Sequence, residues 1–330
     1  MKALERLFGA RAGARREADA ADRSVERIVR ATDRRLALVR GYRERLRAPV
    51  AVASRDLREA IRAIPGPAEV SPQSWVRDET VRALFATGSD AVTAACGDAG
   101  VGDFFALRPA GDCFGLLALR VVERRVLAPS LEGEIVQAEV ARTTVSFSEP
   151  AILAPGPTET ALREELLQRA LEYLALRALA RVAEVSARKR ELEQERALLQ
   201  AQLQVARRRG AGLGALDKPP AAPAGIAALT RDLEHTTREL EKAASRELLP
   251  ALLDELHAVL GHPREHLTFS HCALTLDAMN FAVAPSPRAI TPRVSILGLA
   301  GRGSFAVLVA RFPRAAHRRD ERLTDAAKYL

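Results

Sequence analysis

The chain has 330 residues, room for two modest domains or for one domain with a long non-globular insertion. Hydrophobic residues at 48% and charged residues at 28% are ordinary for a globular protein, but aromatics at 4% are few for a large sheet core and favour helices packed through Leu, Ala and Val. The formal charge of +8 lies at one end, because residues 1–62 hold 17 Lys or Arg against 9 Asp or Glu, and the three cysteines, Cys96, Cys113 and Cys272, form no C-x-x-C pair, which argues against a disulfide framework or a zinc knuckle.

MKALERLFGARAGARR, residues 1–16, is interrupted by Glu5 and Arg6 where a secretory leader needs an apolar core. Leu4, Leu7 and Phe8 beside Lys2, Arg6 and Arg11 are too little apolar surface to anchor a membrane helix, and a first helix packed on its own domain is the preferred reading. From Ser24 to Arg47, Val25, Val29, Thr32, Leu36, Val39 and Leu46 recur at helical spacing and predict one amphipathic helix ending before Pro49. On its opposite face Arg23, Arg27, Arg30 and Arg34 fall in one narrow sector and form a candidate anion-binding ladder for phosphates or anionic headgroups. The plainer reading is a solvated face, with Asp19–Arg23 and Glu26–Arg30 as i,i+4 pairs. No base-reading motif accompanies the ladder.

Ser54 is read as the cap of a short helix through Ile64, and PGPAEVSP as a linker whose Ser71 and Pro72 open the next helix. WVRDETVRALFA reads as one helix, and the glycines of ATGSD and ACGDAGVGD as loops. At Cys113 the character changes. CFGLLALRVVERRVL, the turn LEGE and EIVQAEVARTTVSFS predict two or three antiparallel strands. A second strand block comes late: LTFSHCALTL, MNFAV, then VSILGLA and SFAVLVARF joined by the glycine turn AGRGS as a hairpin.

Between these blocks lie about a hundred residues with almost no strand signal. Thr158 is a candidate cap, and no Pro or Gly appears again until Gly210, which predicts a helix of roughly fifty residues, about 75 Å long. GAGLGALDKPPAAPAG breaks it, and a second helix from Ile226 carries leucines to Leu260, with Pro250 as a kink or restart. Leu171, Ala178, Val185, Leu192, Leu199 and Ala206 are spaced by seven and form a coiled-coil seam. The positions four residues on, Ala175, Val182, Lys189, Arg196 and Leu203, are a mixed companion row. So thin a stripe can bury one partner helix and no more, because wider burial would strand its charges away from water. The expected partner is Ile226–Leu260, packed antiparallel as a hairpin arm whose base lets the two strand blocks share one sheet. A parallel dimer through 171–206 is the alternative.

His262, His266, His271 and Cys272 crowd into GHPREHLTFSHCALTLD in a chain with only six histidines, which makes the three imidazoles weak candidate metal ligands. His271 and Cys272 would point to opposite faces of a strand, so no complete site is expected. ACGDAGVGD lacks the strand of a dinucleotide fingerprint and RRRGAGLGALDKPP lacks Walker spacing. No G-x-S-x-G places a nucleophile, and the helix carboxylates such as Glu164 and Glu165 or Glu191, Glu193 and Glu195 read as solubilising charge.

The expected fold is α+β and helix-dominated: a helical region over 1–107, a first strand block over 108–154, a coiled-coil arm over 155–262 with a linker at 210–225, and a second strand block with the tail over 263–330. Part of the Arg and Ala abundance is read as codon bias in a bacterial source. The expected function is that of a cytoplasmic, non-enzymatic scaffold that binds another protein through the projecting arm, with no catalytic residue and no cofactor. The alternative is electrostatic binding of nucleic acid or an anionic membrane through residues 1–47, and a metal-dependent enzyme stands behind both.

Overall fold

A computed structural model describes residues 19–108, 111–132, 135–208, 223–244, 248–271, 274–287 and 289–316. The chain is a helix-rich α+β protein. Its antiparallel sheet is built from two separated strand blocks, with long helices inserted between them. Among the described residues no helix is long and apolar enough to cross a membrane. Two compact units divide the chain, Met1–Val50 with Glu172–Gly261, and Ala51–Leu171 with His262–Leu330. The helical regions expected over 1–107 and 155–262 are therefore each shared between the units.

The sheet belongs to the second unit. Its strands are β1 (Ala68–Glu69), β2 (Cys113–Glu132), β3 (Ile135–Gly156), β4 (Leu267–His271), β5 (Ser295–Leu299) and β6 (Gly303–Phe312), in the order β3-β2-β6-β5-β4. Short β1 runs parallel to β6 and pairs Ala68 with Ala310. The first block gives two strands and not three, a hairpin with three register irregularities. Only Cys113–Arg120 of β2 pairs with β6. The β5–β6 hairpin turns at Gly301, φ +79°, where Arg302 N–H donates to the Leu299 carbonyl.

Alternation along β6 gives the sheet two apolar faces. On one, Leu117, Leu119, Leu308 and Phe312 form a buried cluster with Leu84, Phe85, Val101, Phe104 and Phe105. Those last residues come from α4 (Glu79–Leu84), α6 (Ala99–Leu107) and the connection after α4. On the other face, Leu116, Val307 and Val309 are buried.

Several local expectations are corrected here, each for a stated reason. WVRDETVRALFA is two helices, α3 (Pro72–Arg77) and α4. Asp78 between them has extended backbone, and its carboxylate accepts from the N–H groups of Thr80 and Val81, so it caps the second helix instead of continuing the first. The glycine stretches are helical, as α5 (Gly88–Cys96) and α6, because Thr87 forms a capping box with Asp90 and Asp98 caps Val101 N–H. Ser71 and Pro72 do open α3, with a capping box between Ser71 and Ser74.

MNFAV is not a strand. Asp277 Oδ1 accepts from the N–H groups of Met279 and Phe281, at 2.9 and 3.0 Å, and Asn280 takes φ +59°, which folds 277–281 into a tight loop with isolated bridges only. Arg142 of β3 closes the loop, 2.7 Å from Asp277 Oδ2 and stacked 4.0 Å from the Phe281 ring centroid. Burial pushes the Asp277 carboxyl up, but hydrogen bonds from Phe281 N–H, Arg142 and Met279 N–H outweigh it and hold the group below its ordinary 3.8. A depressed carboxylate stabilises the fold above its unfolded value, and that contribution goes as pH falls through the lower folded value. Asp277→Asn is therefore expected to lose about 1–3 kcal/mol at neutral pH, and the difference from wild type should shrink well below 3.8. Urea unfolding at both pH values checks this, and an equal difference at both would overturn the assignment.

The first unit is helical. Residues 19–31 form α1, which buries Val25, Ile28 and Val29. The single helix expected over 24–47 is broken, since Asp33 caps a 3-10 turn at Arg34–Leu38 and accepts from Arg35 N–H. Gly41, φ +74°, precedes α2 (Tyr42–Arg62), and α2 runs through Pro49 without ending. The missing N–H there costs one bond, but Leu46, Val50, Ala53, Leu57 and Ile61 are all buried along one stripe, and that packing outweighs the break. The helix expected to start at Ser54 is thus the second half of α2. Further on come α7 (Glu159–Arg208), α8 (Pro223–Ala244) and α9 (Leu248–Gly261). Thr158 Oγ1 accepts from Ala161 N–H at the start of α7, and Pro250 sits in the first turn of α9, where a proline is tolerated.

Candidate functional site

The 50 residues of α7 are one uninterrupted helix because nothing within them removes a backbone donor or favours left-handed backbone. Within the first unit its partners can be followed. Arg27 Nε of α1 lies 2.5 Å from Glu172, and Arg181 Nε lies 2.6 Å from Glu255 of α9. Glu239 of α8 is held below the usual carboxylate range first by Lys242, then by His235 and by Arg188 of α7. As numbers rise along α7, from 181 to 188, the partners fall, from 255 to 239. Helices α9 and α8 therefore run antiparallel to α7.

The expected seam residues are not placed alike. Leu171, Ala178 and Leu192 are buried, Leu199 and Ala206 are half-buried, and Val185 is 59% exposed. The companion positions Ala175, Val182 and Leu203 are buried, and Lys189 and Arg196 are half-buried. Leu171, Val182, Leu192 and Leu203 follow at intervals of ten or eleven, close to three turns of a straight 3.6-residue helix. A strict spacing of seven drifts around such a helix, and so the sequence repeat tracked the buried line only in part. Opposite on α8, Thr236 and Leu240 are buried.

The far side of α7 carries a second apolar line. At about 100° per residue, Leu176, Ala180, Ala183, Ala187, Leu198, Ala201 and Val205 occupy one sector roughly opposite the buried one. Leu176, Leu198 and Val205 are 49%, 59% and 50% exposed, and Ala183, Ala187 and Ala201 are exposed too. The heptad search missed this line because it anchored on the seam that begins at Leu171. Exposed leucine and valine at helical spacing were the signal that could have found it.

The Arg ladder is divided. Arg23, Arg27 and Arg30 stand on α1, whereas Arg34 lies in the 3-10 turn beyond the helix end. Arg27 is paired with Glu172, and Arg23, Arg30 and Arg34 are exposed. Neighbouring arginines are paired as well, Arg43 with Glu26 at 2.7 Å and Arg47 with Asp22 at 2.8 Å. Tyr42 O–H donates to Glu26 and, with Arg43, lowers its carboxyl below the ordinary range. The chain matches no protein-family model, no curated protein and no solved structure. What α7 and its surroundings can do is therefore read from their own chemistry.

In the second unit, His262 is exposed and precedes a 3-10 turn, Pro263–Glu265, while His266 is half-buried and ends it. His271 closes β4, and its side chain, like Cys272, lies outside the described residues. Among the described residues no group of three or more His, Cys, Asp or Glu is placed to hold a metal ion. Burial pushes the Cys113 thiol up to about 12, which leaves almost no thiolate at neutral pH. An open polar cleft of about 480 Å³ lies beside α3 and α4. Its acids are committed to the fold: Asp78 caps α4, and Glu69 accepts from Ser71 and pairs with Arg311. RRRGAGLGALDKPP, past Arg208, and the N-terminal Leu4, Leu7 and Phe8 lie outside the described residues.

Proposed function

We propose that this chain is a non-enzymatic interaction protein of the cytoplasm that binds another protein through the coiled-coil arm of α7 and α8. The supporting observation is the two-sidedness of α7. One line, through Val182, Leu192 and Leu203, is buried, and the opposite line leaves Leu176, Leu198 and Val205 exposed. An exposed leucine needs no explanation by itself, but three large apolar side chains with alanines between them on one helix face suit a helix laid alongside. The exposed charges at the edges of that line, Arg188 and Glu191 with side chains 64% and 65% exposed, would choose among partners electrostatically.

Capture on immobilised full-length chain tests the reading. The wild type is expected to hold a protein partner between about 50 and about 200 mM salt, whereas phosphate-driven binding collapses over that range. Leu198→Glu with Val205→Glu is expected to weaken capture at least about tenfold, while stability changes by no more than about 0.5 kcal/mol, because both side chains are exposed. Capture equal in wild type and variant would overturn the arm as the binding surface. Nucleic acid that elutes with rising salt and is lost with Arg23→Ala and Arg30→Ala would put the electrostatic reading in its place.

A further inference from the structure

We infer that the exposed line of α7 is occupied by the same line of a second copy of this chain, packed antiparallel about a two-fold axis between Arg190 and Glu191. The inference rests on the reading of the arm as a protein-binding surface, and it names the partner at this face.

The register carries it. A two-fold axis perpendicular to two antiparallel helices pairs residues whose numbers have a constant sum, and such an isologous surface must be self-complementary. With the axis between Arg190 and Glu191, Leu176 faces Val205 of the copy, Ala180 faces Ala201, Ala183 faces Leu198 and Ala187 faces Gln194. Every large side chain of the line therefore meets an apolar side chain. The two bulkier residues inside the line's ends, Leu198 and its copy, each fall on an alanine, and alanine lets helix axes approach toward the short end of the usual 8–10 Å. From Leu176 to Val205 the contact runs about 44 Å at 1.5 Å per residue. All of the large residues concerned are half or more exposed, so the line is open along its length.

Charge selects the direction. On one flank of the line stand Arg188, Glu191 and Glu195. In the antiparallel register each Arg188 sits between Glu191 and Glu195 of the copy. Glu191 meets its own copy beside the axis, where the two Arg188 guanidiniums bracket the pair of carboxylates. A parallel, in-register pairing would instead set Arg188 against Arg190 and Glu195 against Glu193, a like-charge arrangement on both counts. The existing Arg188–Glu191 bridge within the helix, 3.2 Å and exposed, is the weak kind that exchanges partners at little cost. Gln194 is the one uncharged polar residue in the line. Facing Ala187 of the copy near the edge of the contact, it keeps access to water and penalises other registers, as a polar residue in an apolar seam does.

Light scattering on the purified full-length chain over about 1 to about 100 μM reads the result, because a two-helix contact of this length belongs to the small, micromolar class of interface. The mass is expected to double across the range. Leu198→Glu should shift the midpoint at least about tenfold toward monomer. Arg188→Glu should weaken the dimer, and mixing it with a Glu191→Arg, Glu195→Arg variant should restore association. Orientation is read by disulfide formation, with Cys96, Cys113 and Cys272 changed to alanine. Ala180→Cys mixed with Ala201→Cys should cross-link, and neither variant should cross-link with itself. A mass of one chain at every concentration overturns the inference, as does cross-linking of Ala180→Cys to its own copy. A monomer that still captures a different protein through Leu198 and Val205 would sink the dimer and keep the arm reading, and a monomer that captures nothing would sink both.

Discussion

Replacing Leu256 by alanine is expected to lower the unfolding free energy by about 2–5 kcal/mol, the range for emptying a fully buried leucine site whose surroundings collapse only partly. Leu256 is 0% exposed on α9, beside the equally buried Leu252, Leu253, Val259 and Leu260. Polar ties on the solvent side hold that helix in place and limit collapse: Asp254 pairs with Arg45 at 2.5 Å and Glu255 with Arg181 at 2.6 Å. The informative comparison is Val185→Ala. By spacing, Val185 belongs to the seam, yet it is 59% exposed, so the substitution should move stability by no more than about 0.5 kcal/mol. Denaturant unfolding of both variants decides the matter. A loss at Val185 as large as the one at Leu256 would mean that the heptad line, and not the line through Val182 and Leu192, is the buried one.

Gly66→Ala is expected to be comparably costly, for a different reason. Gly66 has φ +127°, backbone that only glycine adopts without strain, and a Cβ placed there would collide with the Val309 carbonyl oxygen and Cβ. The neighbouring bond, Val309 N–H to the Pro65 carbonyl at 2.8 Å, and the parallel pairing of β1 with β6 leave neither strand free to move aside. Backbone strain and overpacking each cost about 1–3 kcal/mol, so a loss of about 2–5 kcal/mol is expected. Gly225→Ala is the opposite case. Nothing lies within 4 Å of its would-be Cβ and it sits in α8, so alanine should stabilise by about 0.5–1 kcal/mol through helix propensity. Thermal unfolding of the two variants should shift in opposite directions, and a neutral Gly66→Ala would refute the close approach of β1 to β6.

The candidate surface was partly legible in advance. The run without Pro or Gly, the cap at Thr158 and the seven-residue spacing pointed to a long helix with one thin line for a partner, and α7 has that length and start. The outward line was missed because its members, apart from Leu176, Leu198 and Val205, are alanines, which serve as well in a solvated helix as in a close contact. Arg34 was grouped with the ladder since a helical wheel assumes an unbroken helix, and Asp33 ends that assumption by capping the turn after it.

What the sequence by itself determined is the part written in local backbone chemistry and periodicity. The β5–β6 hairpin follows from glycines that accept positive φ, and the opening of α3 from Ser71 and Pro72. The two strand blocks follow from β-branched and apolar composition, and the long helix from the absence of breakers. The tertiary structure alone decided the rest. Pro49 stays inside α2 because the buried stripe from Leu46 to Ile61 outweighs one lost hydrogen bond, and MNFAV turns because Arg142, far away in sequence, holds Asp277 in place. Val185 is left in solvent because burial on a straight helix follows the 3.6-residue turn and the reach of its neighbours, neither of which a repeat of seven can encode.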